Sequence, residues 1–344
     1  MRVKSRGDAD PGPAEGQPPE PGDLRLEPIE GPSSSISDRR PFRSGFACFV
    51  GRPNAGKSTL TNALVGTKIA IASAKPQTTR HAIRGIVSRP DAQLIVIDTP
   101  GLHRPRTLLG ERLNDLVRST WTEVDVIGVC LPANERIGPG DNYLVGEIAA
   151  LPRMPSLVAI ATKSDLASPN QLAEHLLRIA ALEAKHGIDW AHIVPVSAVT
   201  DDRVDVLSGA LAGLLPEGPQ LYPDGILTDE PEETLVAELI REAALEGVRE
   251  ELPHSITVSV EEMALRAERP ADRPLLDVFA SLIVERDSQK GILIGHRGSR
   301  LREIGAAARR QIEALLGTPV YLDLRVKVLK EWQRDPKHLN RLGF

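Results

Sequence analysis

The sequence has 344 residues, which is long enough for two domains with separate cores. With 41% hydrophobic and 26% charged residues, its composition is that of a soluble globular protein, and the 3% of aromatic residues predict aliphatic cores. The net charge of −5 gives no general reason to expect a nucleic-acid partner, so charge has to be examined by region. No apolar run reaches the roughly 18 residues that a membrane span needs, which argues against a spanning helix.

The N-terminal residues and the cysteines indicate the compartment. The basic N-terminus is followed by no apolar segment, so no secretory signal is predicted. Residues 1–43 hold eight prolines and five glycines and predict a disordered tail. Cys48 and Cys130 each lie in an apolar, strand-like run and show no metal-site spacing. They are interpreted as buried, inert thiols of a cytoplasmic protein.

Residues 44–216 alternate short apolar runs with helix-like segments. The apolar runs are "FACFV", "AIRGIV", "AQLIVID", "VDVIGVCL", "SLVAIAT" and "AHIVPVS". Helices are predicted at Leu108–Thr122, Pro139–Leu151, Asn170–Lys185 and Val204–Leu215. The alternation predicts an α/β domain with a mainly parallel sheet and flanking helices, an architecture that suits nucleotide binding.

A Pro- and Gly-rich stretch from Leu215 to Gly225 predicts a domain boundary, with a linker at residues 217–228. Residues 229–344 follow a different order of elements. The prediction is a helix at Glu232–Glu250, strands in "SITVSVEEM" and "LLDVFASLIVER", a Gly-rich turn, a helix at Ser299–Leu316, the strand "VYLDLRVKVL" and a short helix at Pro336–Arg341. This order predicts a small α+β domain.

The stretch "GRPNAGKST" lies between an apolar run and a helix-like segment, which is the strand–loop–helix context of a phosphate-binding loop. Its glycines let backbone N–H groups surround phosphate oxygens, and the helix start adds a positive dipole. Lys57 is expected to reach the β- and γ-phosphates, and Ser58 to ligate Mg²⁺. The alternative is a plain glycine turn. The predicted nucleotide contacts here are Gly51, Arg52, Pro53, Asn54, Ala55, Gly56, Lys57, Ser58 and Thr59.

The stretch "LIVIDTPG" indicates a GTPase switch, because it follows the phosphate loop by about forty residues. Asp98 ends the strand and can hold Mg²⁺ through water, and Gly101 can offer its amide to the γ-phosphate. Between the two motifs, "KPQTTR" offers a hydroxyl to the Mg²⁺ shell, with Thr79 favoured over Thr78, although a polar loop without a ligand is an alternative. The predicted contacts of this motif are Asp98, Thr99, Pro100, Gly101 and Leu102.

The stretch "ATKSD" differs from the guanine-reading pattern Asn-Lys-x-Asp by a threonine at its first position. The carboxylate of Asp165 is expected to accept hydrogen bonds from the guanine N1–H and 2-amino groups, and the stem of Lys163 to cover the base. The later stretch "VPVSA" is expected to donate backbone hydrogen bonds to the guanine oxygen. The predicted base contacts are Thr162, Lys163, Ser164, Asp165, Ser197 and Ala198.

These motifs resemble those of the Era family of bacterial GTPases, within the larger Ras-like translation-factor group. The resemblance covers Gly45 to Phe344 and includes "GRPNAGKST", "PQTTR", "DTPG" and "GILIGHRGSRLREIG". It implies a Ras-like P-loop GTPase domain followed by a type II KH domain, with GTP or GDP and Mg²⁺ as ligands. It also implies binding to the 3′ region of 16S ribosomal RNA, a role in 30S subunit assembly, and peripheral contact with the inner face of the membrane. A monomer is the expected oligomeric state.

The KH interpretation also has support from the residues themselves. Gly295 and Gly298 bracket two polar residues, so the backbone can approach a sugar–phosphate chain closely. Residues 229–289 hold 6 basic and 16 acidic residues, a net charge of −10, whereas residues 290–344 hold 12 basic and 5 acidic residues, a net charge of +7. A localised basic surface suits a phosphate backbone, although a solvated basic helix beside a glycine turn is the alternative.

The predicted RNA contacts follow from this interpretation. An apolar groove for unstacked bases is expected from Ile292, Ile294, Leu301 and Ile304. The predicted RNA-binding residues are Gly291, Ile294, Gly295, His296, Arg297, Gly298, Arg300, Lys327 and Lys330.

The chain departs from the family pattern at two positions. Leu102 follows the switch glycine and cannot orient the attacking water as a Gln does, so slow basal hydrolysis is expected, with His103 as a weak candidate for that role. Asn54 resembles the Asn by which related GTPases hold a potassium ion beside the phosphates. The predicted catalytic residues are Lys57, Asn54, Thr79 and Gly101. Thr162 replaces an Asn that contacts both the base and the phosphate loop, and the loss of one contact predicts a weaker affinity by about 1 kcal/mol.

Two other functions fit part of the sequence. An RNA-binding module with a structural, non-hydrolysing nucleotide domain would keep the KH features, but the intact Lys57, Ser58, Asp98 and Asp165 argue against it. An ATP-dependent enzyme could share the phosphate loop, but Asp165 disfavours adenine.

Overall fold

The computed structural model describes residues 41–71, 79–102, 105–248, 252–267, 269–270 and 272–344. Most of the predicted tail, Thr78 and His103 therefore lie outside the described residues. The described chain is already a strand at Arg43, at the end of the predicted tail. Residues 41–344 belong to one compact unit.

The N-terminal half of this unit is a six-stranded sheet with helices packed against it. Its strands are β1 (Arg43–Val50), β2 (Ile83–Ser88), β3 (Ala92–Asp98), β4 (Val126–Cys130), β5 (Ser156–Ala161) and β6 (His192–Pro195). The strand order is β2-β3-β1-β4-β5-β6, and only the β2–β3 pair is antiparallel among these described strands. The helices are α1 (Lys57–Val65), α2 (Leu108–Glu123), α3 (Pro139–Ala149), α4 (Pro169–His186) and α5 (Val204–Gly213). The predicted mainly parallel α/β architecture is confirmed.

Both faces of the sheet are covered, which explains why its strands are apolar along their whole length. On β1, Cys48 and Val50 pack into one core with Trp121, whereas Phe49 packs into a second core on the opposite face. Both cysteines are fully buried, and burial raises the pKa of Cys130 to about 12. The prediction that both thiols are buried is confirmed, and burial disfavours the reactive thiolate.

The C-terminal half is a three-stranded sheet with helices packed against it. Its strands are β7 (Thr257–Leu265), β8 (Leu276–Val284) and β9 (Val320–Val328); β7 and β8 are antiparallel, and β8 and β9 are parallel. Its helices are α6 (Glu232–Leu245), α7 (Leu252–Ser255), α8 (Asp287–Ile294), α9 (Ser299–Leu316) and α10 (Pro336–Arg341). The predicted α+β order is confirmed, including both ends of α9 and α10.

Two element predictions in this half are wrong. Helix α6 ends at Leu245 rather than at residue 250, because the chain leaves the helical conformation at Glu246 and then takes a positive φ of 70° at Gly247. The predicted Gly-rich turn begins as helix α8. The side-chain amide oxygen of Gln289 accepts hydrogen bonds from the backbone N–H groups of Glu285 and Arg286, which starts this helix.

The predicted linker lies along the edge of the large sheet. The buried side chain of Gln93 accepts hydrogen bonds from the backbone N–H groups of Leu221 and Tyr222, both at 2.8 Å. The carbonyl of Leu227 accepts a hydrogen bond from Ile86, on the edge strand β2. These contacts fix a Pro-rich segment that its composition alone would leave free. In the described part of the chain, no helix has the length and apolarity to cross a membrane.

Candidate nucleotide site and RNA-binding groove

The phosphate loop connects β1 to α1 at the carboxyl edge of the parallel sheet. A Cβ on Gly51 would lie 2.7 Å from the carbonyl oxygen of Cys130, so only glycine fits there. Gly56 has a φ of 90° and starts α1, and Asn54 is also left-handed, with a φ of 63°. The loop therefore holds the turned backbone that phosphate binding requires.

Lys57 is buried at the centre of this loop. Its Nζ atom donates to the carbonyl oxygens of Gly51 (3.0 Å) and Arg52 (3.3 Å). Burial lowers the pKa of its ammonium group, while the nearby carboxylate of Asp98 opposes that shift. A cation held among backbone carbonyls, next to the turned loop, is placed to meet an anionic ligand.

The structure brings the three predicted magnesium ligands together. The Ser58 hydroxyl donates to Asp98 Oδ2 at 2.7 Å and lies 3.0 Å from Thr79 Oγ1, and the Thr79 hydroxyl donates to the same Asp98 oxygen at 3.1 Å. Asp98 is fully buried, and burial raises the pKa of its carboxyl group. Within the described residues, its Oδ1 atom has no hydrogen-bond partner.

This set of oxygens fits a magnesium ion. A buried carboxylate with an unused oxygen is costly, and Mg²⁺ prefers oxygen ligands. The two hydroxyls and the carboxylate come from α1, the segment before β2 and the end of β3. Three separate elements thus supply one compact oxygen cluster beside Lys57.

The switch motif "DTPGL" continues from this cluster. A Cβ on Gly101 would lie 3.4 Å from Lys57 Nζ, so a side chain there would press on the lysine. The Thr99 hydroxyl donates to the carbonyl of Phe49, which ties the segment around Pro100 to β1. Leu102 packs against the apolar core that contains Trp121, so it is an anchoring side chain.

Arg52 has a different position from the one predicted. Its guanidinium group leaves the phosphate loop and pairs with the buried Asp141 (Nε–Oδ1 2.7 Å) and with Glu135 (Nη2–Oε2 3.2 Å). Asp141 also accepts a hydrogen bond from the backbone N–H of Gly138 at the start of α3. The Arg52 side chain therefore ties the phosphate loop to the β4–α3 segment, while its backbone stays in the loop with Pro53 and Thr59.

The base motif follows β5 at the same edge of the sheet. The buried Thr162 hydroxyl donates to the carbonyl oxygen of Ala55 in the phosphate loop, at 2.7 Å. Lys163 is left-handed, with a φ of 56°, and Ser164 is buried. Asp165 is exposed, so its carboxylate is open to a ligand from solvent.

The "VPVSA" stretch lies beside the base motif. The backbone N–H of Ser164 donates to the carbonyl of Val196 at 3.2 Å, which brings Ser197 and Ala198 next to it. Ser197 is buried and exchanges two backbone hydrogen bonds with Asp202. The structure therefore gathers the described residues of the predicted nucleotide motifs along one sheet edge.

The Gly-x-x-Gly loop lies between α8 and α9. Gly295 and Gly298 have φ values of 70° and 75°, and a Cβ on Gly295 would lie 2.7 Å from the Cβ of Arg300. His296 and Arg297 are exposed at the tip of the loop. Both glycines are thus required by the backbone, and the two polar side chains face solvent.

A groove of about 580 Å³ runs from this loop between α9 and the edge strand β9. It is lined by Arg297, Gly298, Leu301, Arg302, Gly305, Ala306, Arg309, Tyr321, Leu322 and Leu324. Arg302, Arg309 and Tyr321 were not among the predicted RNA contacts. The spacing of Arg302, Gly305 and Arg309 on one helix was the available signal.

Several predicted RNA contacts lie outside the lining of this groove. Arg300 donates to the backbone carbonyl of Glu246 and pairs with Glu303, and Lys327 pairs with Glu261. Gly291, Ile292, Ile294 and Lys330 are not among the lining residues either. Ile304 is only 1% exposed and belongs to the core, so its prediction as a groove residue is wrong.

Two separate parts of the chain match known protein families. The family of 50S ribosome-binding GTPases matches residues 46–163, and the KH domain matches residues 251–333. GTPase Era from Nocardioides sp. is 69% identical over 302 residues, covering 88% of this chain and 96% of that protein. GTPase Era from Streptomyces coelicolor is 64% identical over 321 residues, covering 93% of this chain and 99% of that protein.

The chain belongs to the Era family of GTPases. Two solved structures of the family share its fold over 88% of this chain and 99% of theirs. Era from Aquifex aeolicus bound to GDP.AlF4⁻ has a TM-score of 0.81 at 35% identity. Era in complex with MgGDPNP and nucleotides 1506–1542 of 16S ribosomal RNA has a TM-score of 0.82 at 36% identity. The predicted P-loop GTPase domain followed by a KH domain is confirmed, and the ATP-dependent alternative is not supported.

Proposed function

We propose that this chain is a GTP-driven switch that binds the 3′ region of 16S ribosomal RNA through its KH domain and assists 30S subunit assembly. The observation that carries the proposal is one compact unit that contains both the phosphate and magnesium residues and a basic groove beside the Gly-x-x-Gly loop. A related Era has been solved with both MgGDPNP and 16S ribosomal RNA bound. The proposed domains are residues 44–216 and 229–344, joined by the linker 217–228.

In the proposed reaction, water attacks the γ-phosphate of GTP in line with the bond that breaks. Lys57 and the loop amides hold the β- and γ-phosphates and stabilise the charge that develops on their oxygens. Ser58, Thr79 and Asp98 would hold Mg²⁺, which supplies further charge neutralisation when bound. The backbone N–H of Gly101 meets the γ-phosphate. Leu102, which follows Gly101, packs against the core and cannot orient the attacking water, which supports the proposal of slow basal turnover.

The guanine base would lie over the Lys163 stem and against Asp165. A carboxylate accepts from the guanine N1–H and 2-amino groups, whereas adenine offers no such pair of donors. The backbone of Ser197 and Ala198 would meet the guanine oxygen. Thr162 then supports the site through its hydrogen bond to the phosphate loop rather than through a contact with the base.

Asn54 is the proposed ligand of a potassium ion. Its left-handed backbone places it at the tip of the phosphate loop. The ion would supply positive charge where no arginine finger is present among the loop residues. Replacing K⁺ by Na⁺ should slow GTP hydrolysis at constant ionic strength, and an unchanged rate would contradict this role.

Binding assays test the switch as a whole. The full chain, loaded with GDPNP or GDP, is titrated with fluorescent RNA of the 16S 3′ region and with a scrambled RNA of equal length. We expect tighter binding of the native RNA, and tighter binding with GDPNP than with GDP. Equal affinity for both RNAs would overturn the proposed partner, and a chain that releases no phosphate from GTP would support the non-hydrolysing alternative.

The cytoplasmic location, the peripheral membrane contact and the monomeric state stay predictions.

A further inference from the structure

Glu135 lies between the two ends of the nucleotide site, in the segment that connects β4 to α3. Its Oε2 atom accepts a hydrogen bond from Arg52 Nη2 at 3.2 Å, and its Oε1 atom lies 3.7 Å from Lys163 Nζ. Arg52 belongs to the phosphate loop and Lys163 to the base motif. One carboxylate thus joins a cation from each motif, using a different oxygen for each.

The backbone around Glu135 is fixed against the base motif. Ala133 donates to the carbonyl of Thr162 at 2.7 Å, and Glu135 itself closes a turn by donating to the carbonyl of Pro132 at 3.1 Å. On the other side, Arg52 is held by the buried Asp141. The backbone that carries this carboxylate and the side chain of Arg52 are therefore both held in place.

A negative charge near a bound nucleoside diphosphate opposes its binding, so an acidic side chain at this place is unfavourable by charge alone. The geometry indicates a compensating role for it, through Lys163. Lys163 is a non-glycine residue in the left-handed conformation, and its long side chain has several rotamers that would not cover a base. A carboxylate 3.7 Å from the ammonium group restricts the rotamers that this side chain can adopt.

We infer that Glu135 is a positioning residue for guanine-nucleotide binding, which aligns Lys163 with the base and couples it to the phosphate loop through Arg52. The inference rests on the proposed nucleotide site. Glu135 touches neither the reacting atoms nor the predicted magnesium ligands, so its effect falls on nucleotide retention and leaves the chemical step unchanged.

The test compares Glu135→Ala with the wild-type full chain. The dissociation rate of a fluorescent GDP analogue is measured by stopped flow, and KM and kcat for GTP are measured in parallel. We expect dissociation to accelerate and KM to rise by about fivefold, with kcat changed by less than about twofold, since two part-exposed ion pairs are lost. The matched control is Glu147→Ala, which removes another Glu–Arg pair of the same length, 3.2 Å to Arg118, away from the nucleotide site.

The sign of the change decides the inference. If Glu135 acted only as a negative charge, its removal would tighten GDP binding, and tighter or unchanged binding would overturn the inference. In an Arg52→Met background, Glu135→Ala should still accelerate dissociation, because the contact with Lys163 remains, but by less than in the wild-type background. An acceleration as large as in the wild-type background would overturn the coupling of the two motifs, and no acceleration would overturn the alignment of Lys163 by Glu135. A wild-type chain that binds no guanine nucleotide would overturn the proposed function instead.

Discussion

Thr162 occupies the position of the guanine motif where the family pattern has Asn, and its hydroxyl is committed to the phosphate loop. The Oγ1–Ala55 O distance is 2.7 Å, and the side chain is buried. A hydroxyl has one proton to donate, so it cannot donate to the base as well. The contact that this chain lacks is therefore the one to the base, and the tether to the phosphate loop is kept.

Two substitutions at this position should move nucleotide affinity in opposite directions. Thr162→Asn adds a second donor and should tighten GDP binding by about 1 kcal/mol, the net value of one hydrogen bond. Thr162→Val keeps the shape but removes the donor to the buried Ala55 carbonyl, and should weaken binding by about 1 to 2 kcal/mol. Equilibrium titration with a fluorescent GDP analogue measures both. A Thr162→Asn chain that binds GDP no better than wild type would contradict the assignment.

Gly101 offers a second test at a single residue. A methyl group there would lie 3.4 Å from Lys57 Nζ and 3.6 Å from the Gly51 carbonyl, in the space where the γ-phosphate is expected. Gly101→Ala should lower kcat for GTP by about a hundredfold, because one misplaced transition-state contact costs about 3 kcal/mol. GDP affinity should change by less than about threefold. Equal losses for GTP and GDP would show that the methyl group distorts the whole loop.

At the scale of elements, the residue after Thr79 connects the nucleotide site to the C-terminal domain. Arg80 is 1% exposed, and its guanidinium group donates to the backbone carbonyls of Ile256 (2.8 Å), His254 (2.6 Å) and Pro253 (3.3 Å). It also lies over the ring of Trp332, with 5.6 Å to the centroid. A shift of Thr79 toward or away from a bound magnesium ion would therefore pull directly on the C-terminal domain.

Removing this anchor should destabilise the protein. Arg80→Leu removes the donor to two buried carbonyls and to the part-buried carbonyl of His254, and we expect a loss of about 3 kcal/mol in the free energy of unfolding. Arg84→Leu is the matched control, since Arg84 also reaches across, to Asp229 at 2.9 Å, but is half exposed. Its loss should be below about 1 kcal/mol. Urea unfolding of both variants measures the two losses of unfolding free energy. Equal losses would show that burial of the Arg80 contacts adds nothing to their contribution to stability.

Sequence patterns predicted the elements well where the signal is local. The ends of α9 and α10 follow from apolar periodicity and capping residues, and the phosphate loop follows from one continuous motif. Contacts between distant segments were not predictable in this way. Gln93 forms a hydrogen bond with Leu221 in the linker, more than 120 residues later. Nothing in the sequence near Gln93 indicates this contact. The same holds for Arg80, whose partners lie in a different domain.

The RNA groove shows the same limit. Arg302 and Arg309 could be placed on one helix face from their spacing, but Tyr321 joins them only because β9 pairs in parallel with β8 and lies beside α9. Parallel pairing requires a crossover, here the segment that contains α8 and α9, and no local pattern specifies which strand edge it returns to. Lys327, a predicted RNA contact, pairs on β9 with Glu261 on β7.

At the scale of the whole molecule, charge is divided in a way that the total of −5 conceals. The last 55 residues carry a net charge of +7, and the preceding part of the C-terminal domain, residues 229–289, carries −10. The acidic part includes α6, which packs against α9, and Lys68 of the GTPase domain pairs with Glu242 there. Arg297, Arg302 and Arg309 of the basic part line the groove, where an RNA backbone can approach them.

The groove can be separated from general positive charge by comparing arginines on the same helix. Arg302→Gln and Arg309→Gln remove charges that line the groove, whereas Arg310→Gln removes an equal charge from an exposed position of α9 outside the lining. If the groove holds the RNA backbone, each lining variant should weaken RNA binding about tenfold and reduce the slope of log affinity against log salt by about one phosphate contact. Arg310→Gln should change neither quantity by much, and GTP turnover without RNA should stay at the wild-type rate in all three, because α9 lies outside the nucleotide site. Equal losses of RNA affinity in all three variants would mean that RNA affinity depends only on the overall charge of the domain.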